Sequence, residues 1–212
     1  MPWTLLSFFD LVGTIAFAIS GAFVAIRNDM DLFGVNALAV TTACGGGMIR
    51  DMIVGQIPPM MFRNPTYVLA AAVVANIVFL LSYLHRHMPR RFAPVYDMTL
   101  FWFDTLGLAA FTVDGVMAGV NAGFADNAFL LVFLGFMTGV GGGTVRDMMA
   151  NRIPDIFVKH IYAVASIAGG ILMVFLLRHT DSREIAMIGG FLVILILRNL
   201  ARHFRWNLPK VK

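Results

Sequence analysis

The chain has 212 residues, 59% of them apolar and only 13% charged, with a formal charge of +4. Soluble domains carry about twice that charged fraction, ~25%, so this composition excludes an ordinary soluble fold. The single cysteine, Cys44, excludes an intrachain disulfide framework. The expected class is an all-α membrane protein forming a single transmembrane domain over residues 1–212.

A helix needs roughly 20 mostly apolar residues to cross ~30 Å of hydrocarbon, and the sequence supplies seven such stretches joined by short loops. Span 1, about 4–26, lacks a basic leader and carries Asp10, so it reads as a retained helix rather than a signal peptide. Span 2, about 32–54, holds Thr41, Thr42, Cys44, the glycines Gly45, Gly46 and Gly47, and then Arg50 and Asp51. Cys44 reads as a small buried hydrophobe. Prolines in the stretch 56–59 end this span, and span 3 follows at about 66–84. Span 4, about 98–120, contains Asp104 and Asp114. Span 5, about 126–149, holds Thr138, Gly141, Gly142, Gly143, Thr144, Arg146 and Asp147, and Pro154 closes it. Span 6 covers about 158–177. Span 7, about 184–203, has an uncharged core of only thirteen residues, 185–197, so Arg198 and Arg202 are expected to snorkel. Trp3, Trp102 and Trp206 fit interfacial anchors.

Two segments recur. GGGMIRDMIVGQIP at 45–58 returns as GGGTVRDMMANRIP at 141–154, identical at eight of fourteen positions. FDLVGTIAFAISG at 9–21 returns as FDTLGLAAFTVDG at 103–115, identical at six of thirteen. The offsets, 96 and 94, differ by one short indel. Repeat one covers about 4–84 and repeat two about 98–177, with the seventh helix appended. Each repeat has three spans, an odd number, so the second enters the membrane from the opposite face. The result is an inverted repeat, an architecture of transport proteins whose sites lie at Gly-interrupted helices.

The loop charges orient the bundle. With Arg50 and Arg146 set aside, the N-terminal side receives Arg63, Arg178 and Arg183. The opposite side receives Arg27, Arg86, Arg90, Arg91, Arg152, Lys159, Arg198, Arg202, Arg205, Lys210 and Lys212. Three against eleven places the C-terminus in the cytoplasm and the N-terminus outside. The basic tail then faces anionic headgroups, and nucleic acid is not an expected partner.

Each glycine costs a helix roughly 1 kcal/mol relative to alanine, and the nearby threonines can compete for backbone hydrogen bonds. One reading is a break in spans 2 and 5, placing carbonyl and hydroxyl oxygens along a cation path. The other is close helix packing through small residues. Duplication of the glycines ahead of Arg-Asp favours the break. Arg50 and Arg146 lie too deep for loop charges, and matched depth pairs Arg50 with Asp10 and Arg146 with Asp104; a snorkelled interfacial pair is the alternative. Asp51 and Asp147 are expected to point away from these pairs. Asp114, whose repeat counterpart is Ser20, reads either as a cation-attracting group or as a partner of Arg50.

His85, His87, His160, His179 and His203 fall at span ends or in loops without metal-ligand spacing, so no metal site is expected. No GxSxG elbow, P-loop or GxGxxG appears, and no enzyme activity or cofactor is expected.

The duplicated GGG-x-x-R-D, the D-x-x-G of spans 1 and 4 and the three-plus-three-plus-one layout resemble the prokaryotic trimeric intracellular cation (TRIC) channels over about 3–205. The resemblance implies a homotrimer in the bacterial inner membrane, with a pore in each subunit framed by spans 1, 2, 4 and 5. It implies passage of monovalent cations such as K⁺ and Na⁺, and spans 2 and 5 broken at the two glycine runs. Animal members carry a lysine after the glycines in a lipid-binding motif; here Arg50 and Arg146 stand at different spacing, and bound lipid remains an open expectation. The alternative function is a secondary transporter of a small zwitterion such as glycine, using the same helices. Reporter fusions at Lys212 and after Arg91 should both read cytoplasmic; a periplasmic signal from either contradicts the charge-derived topology.

Overall fold

The structure, a computed structural model, describes residues 4–84, 93–158 and 161–206. Trp3, His85, His87, His160, Arg86, Arg90, Arg91, Lys159, Lys210 and Lys212 lie outside the described residues. Among those described, every regular element is a helix: α1 (Leu5–Arg27), α2 (Leu32–Ile53), α3 (Met60–Arg63), α4 (Thr66–Leu84), α5 (Ala93–Asn121), α6 (Ala128–Met149), α7 (Asp155–Val158), α8 (Tyr162–His179) and α9 (Arg183–His203). Seven are long and apolar enough to cross a bilayer. The protein is an all-α, multi-pass membrane protein.

Local chemistry sets the helix starts. The side chains of Thr4, Asp31, Asn127 and Ser182 each accept a hydrogen bond from the backbone N–H three residues on, which caps α1, α2, α6 and α9. The four helices α1, α2, α5 and α6 pack together at the centre. Helix α4 lies against α1 and α2, α8 against α5 and α6, and α9 against α5 and α8.

Reciprocal contacts between the two repeats mark the pseudo-two-fold axis. Phe17 and Phe111 occupy equivalent positions, and their rings meet edge to face with centroids 5.2 Å apart. On α2 and α6 the relation is closer still. A Cβ added at Gly46 would lie 2.1 Å from the carbonyl oxygen of Thr138, and one at Gly142 would lie 2.0 Å from that of Thr42. Gly46 and Gly142 are equivalents, as are Thr42 and Thr138. The inverted three-helix repeats with an appended seventh helix are therefore present in three dimensions.

The expected break at the glycines does not occur. Helices α2 and α6 remain helical through Gly45, Gly46 and Gly47 and through Gly141, Gly142 and Gly143. The aqueous glycine penalty misleads in hydrocarbon, where each backbone group left unpaired costs several kcal/mol and holds the helical ladder together. The glycines instead let two backbones touch, as small residues do in membranes. Nor do the threonines unwind the helices. Thr42, Thr138 and Thr144 each donate to the carbonyl four residues earlier in their own helix, at 2.6, 2.6 and 2.9 Å. Thr41 stays half-buried on α2, and Cys44 is buried as expected.

Alanine at Gly46 or Gly142 should force α2 and α6 apart and cost about 1–3 kcal/mol, the usual range for overpacking. Gly45, whose added Cβ would meet the Gly142 Cα at an ordinary 3.8 Å, provides the control. Thermal unfolding in detergent should show Gly46→Ala and Gly142→Ala clearly less stable than Gly45→Ala; equal stability contradicts the close approach.

Candidate functional site

Each Arg-Asp doublet sits in the last turn of its helix, where the chain leaves α2 or α6 for a short connecting helix. Arg50 donates to Asp51 Oδ1 from Nε at 2.9 Å and from Nη2 at 2.8 Å. Asp51 Oδ2 accepts from the backbone N–H of Met60, the first residue of α3, at 2.7 Å. The second repeat does the same: Arg146 Nε donates to Asp147 Oδ1 at 2.9 Å, and Asp147 Oδ2 accepts from the N–H of Asp155, the first residue of α7, at 3.0 Å. The expectation that Asp51 and Asp147 turn away from the arginines toward the helix end or solvent is corrected: one oxygen of each binds its neighbouring arginine and only the other reaches past the helix end. Each carboxylate spends one oxygen on its neighbouring guanidinium and the other on the connection that follows, a geometry that adjacent positions permit because the helix ends there.

One guanidinium nitrogen of each arginine crosses to the other repeat. Arg50 Nη1 bonds Asp114 on α5, and Arg146 Nη1 bonds Ser20 on α1. Positions 20 and 114 are equivalents, so the crossing obeys the pseudo-axis while its chemistry does not. Ser20 carries no charge, and Arg146 is balanced instead by Asp104 of its own repeat, at 2.9 Å from Nη1. The expected Arg146–Asp104 pair is present. The expected Arg50–Asp10 pair is not: Asp114 satisfies Arg50, and Asp10 accepts a hydrogen bond from Tyr67 Oη at 3.4 Å.

The two ends differ in enclosure. At the Arg50 end a cavity of about 110 Å³ opens between α1, α2, α4 and α5, with Asp10, Thr14, Gly47, Arg50, Tyr67 and Asp114 in its wall. Three carboxyl groups, those of Asp10, Asp51 and Asp114, accompany one guanidinium there. At the Arg146 end, Arg146 and Asp104 are 1% and 3% exposed. Arg198 enters from α9, with Nη2 3.5 Å from Asp104 Oδ2 and Nε 3.4 Å from Thr105 Oγ1. Its guanidinium carbon lies 4.6 Å from the Tyr162 ring centroid and 4.9 Å from that of Phe101. The expectation that Arg198 snorkels is overturned; buried Asp104 and two aromatic faces draw it inward.

Of the residues expected at a pore, the structure gathers Asp10, Gly47, Arg50, Asp51 and Asp114 around the cavity and Asp104, Gly143, Arg146 and Asp147 at the other end. Gly46, Gly142, Thr42 and Thr138 form the seam between them, with Gly45 and Gly141 alongside. Ser20, Tyr67, Tyr162 and Arg198 were not singled out from sequence as site residues. Tyr67 and Tyr162 follow their proline-marked loops at nearly the repeat offset, a signal that was readable.

The family described as Glycine transporter matches the chain twice, over residues 7–83 and 101–178. The chain belongs to this family. The inner membrane protein YadS of Escherichia coli K12, a UPF0126 protein, is 39% identical over 94% of this chain and 91% of its own length. Among solved structures, a TRIC cation channel determined to explain conductance superposes with a TM-score of 0.84 at 32% identity, covering 99% of this chain and 98% of its own. The TRIC trimeric intracellular cation channel orthologue from Rhodobacter sphaeroides gives 0.85 at 30% identity, over 96% and 100%. The fold is that of the prokaryotic TRIC channels.

Removing one partner of a buried ion pair strands the other charge, at about 3–5 kcal/mol. Asp104→Ala should lose stability on that scale because two buried arginines depend on it, whereas Asp10 forms no ion pair among the described residues and Asp10→Ala should cost less. Comparable unfolding temperatures for the two variants would contradict the assignment.

Proposed function

We propose that this protein is a cation channel: a homotrimer in the bacterial inner membrane, passing K⁺ and Na⁺ through a path inside each subunit. The observation that carries the reading is the near-complete superposition on TRIC cation channels at 30–32% identity. The path is framed by α1, α2, α5 and α6, with the N-terminus outside and the C-terminus in the cytoplasm, so the Arg50 cavity is an outer vestibule. An excess of carboxylates in a walled cavity raises the local cation concentration. Arg50 is held to Asp51 and Asp114, and this neutralises the one group that would repel a cation.

Below the vestibule the α2–α6 seam closes the path. At Gly46 and Gly142 backbone meets backbone, so a small sliding of one helix against the other is enough to part them. Hydroxyls and carboxylates, rather than a cage of free carbonyls, then face the ion, and discrimination between K⁺ and Na⁺ is weak.

The family description favours a second reading, a carrier of glycine. The vestibule supports it to the extent that Arg50 and Asp10 share one cavity, as the two ends of a zwitterion require. Unitary currents separate the two, because a carrier at ordinary turnover generates none. Purified protein in planar bilayers should show cation steps. In Asp114→Asn, which leaves Arg50 less compensated, the conductance should fall by about half at low ionic strength and recover toward wild type as salt screens the guanidinium. Absence of current, with glycine accumulation in proteoliposomes, replaces the channel by the carrier. Leucine at Gly46 or Gly142 is a poor probe of permeation, since the facing carbonyls exclude any side chain there.

A further inference from the structure

We propose that Arg198 of α9 is a latch on the Arg146 end, holding it shut by competing with Tyr162 for the Asp104 carboxylate. The inverted repeat allows one end of the molecule to be compared with the other. At the Arg50 end, where a cavity is open, Tyr67 Oη donates to Asp10 Oδ2. Asp104 and Tyr162 are the counterparts of Asp10 and Tyr67 in the second repeat. There Arg198 takes Asp104 Oδ2, and Tyr162 Oη is buried with no hydrogen-bond partner.

The idle hydroxyl is close to the acid it would serve. Tyr162 Oη and Asp104 Oδ1 lie 3.2 and 3.7 Å from the point where Gly143 would carry a Cβ. A buried hydroxyl without a partner forfeits about 1–3 kcal/mol, and this loss is recovered if the tyrosine replaces Arg198 on Asp104. The arrangement at the Arg50 end is thus a second state available to the Arg146 end. Charge works in the same direction. With Arg198 withdrawn, Asp104 and Asp147 face Arg146 alone, and the cluster gains an excess of acid, two carboxylates to one guanidinium.

Helix α9 is placed to make the exchange. It lies outside both repeats, packs mainly on α5 and α8 and touches α1 through Phe191 and Phe9, so its displacement leaves the α2–α6 seam and the Arg-Asp doublets intact. Arg198 reaches this cluster through a long ion pair to Asp104, a long hydrogen bond to Thr105 and two ring faces, interactions that a shift of α9 loosens together.

The test reads access from the Arg146 side and holds for channel or carrier alike. In a Cys44→Ser background, Ser20→Cys places a thiol beside Arg146, to be labelled by a cationic, membrane-impermeant thiol reagent. Labelling should be slow with Arg198 present and about tenfold faster in Arg198→Gln, as a minor open state becomes common. Adding Tyr162→Phe to Arg198→Gln should return the rate toward the starting value, and Tyr162→Phe alone should change nothing. An unchanged rate in Arg198→Gln overturns the latch; a double variant as fast as Arg198→Gln overturns the competition. Hydrogen–deuterium exchange across residues 104–108 reads the same opening without the added cysteine. There, faster exchange in Arg198→Gln supports the latch and unchanged exchange refutes it. Loss of bilayer current with these labelling rates intact would count against the channel reading alone.

Discussion

The structure depends on the bilayer's demand that every backbone N–H and C=O be paired. In water, a run of three glycines invites a helix to open. In hydrocarbon the ladder stays closed, and the absence of side chains is used for proximity instead. Gly46 against Thr138 and Gly142 against Thr42 bring two main chains into direct contact at the pseudo-axis. Everything else is arranged about that contact: the Phe17–Phe111 pair beside it, and the two arginines in the last turns that follow it. Cα–H···O approaches of this kind contribute modestly each, and a carbonyl that both completes its helix and faces a glycine suits a seam that must also part.

The same scarcity of water governs the arginines. A guanidinium buried in this setting is tolerable only with its donors occupied and its charge balanced. Placing aspartate directly after arginine meets that need locally and uses the second carboxylate oxygen to start the next helix. The doublet therefore joins charge compensation to chain direction, which explains why both copies stand three residues past the glycines and ahead of an Ile-Pro turn.

Much of this was legible in the residues. Apolar length gives the seven spans, the doubled motifs give the repeat, and an odd number of spans per repeat gives the inversion. Matched depth gives Arg146–Asp104. The role of the glycines was not legible, because helix propensity is measured in water and says nothing of what a neighbouring backbone gains by contact. Arg50–Asp114 was missed as the preferred pair because depth along a helix does not give its rotation, and Asp10 and Asp114 sit at the same level. Arg198 was misread because an arginine at the edge of an apolar run looks interfacial until an acid and two rings are seen beneath it.

Duplication makes two equal ends, and the differences between them are where this protein departs from its own template. One is a single position, where Asp114 answers Ser20. The carboxylate present at the Arg50 end has no equal at the other, and Asp104 moves onto Arg146 to fill the gap. The other is α9, which has no counterpart in the first repeat and supplies a second guanidinium to the same acid. Both changes act in one direction, leaving the Arg50 end acidic and open and the Arg146 end balanced and closed. A symmetric scaffold has no preferred sense; these two substitutions of charge provide one.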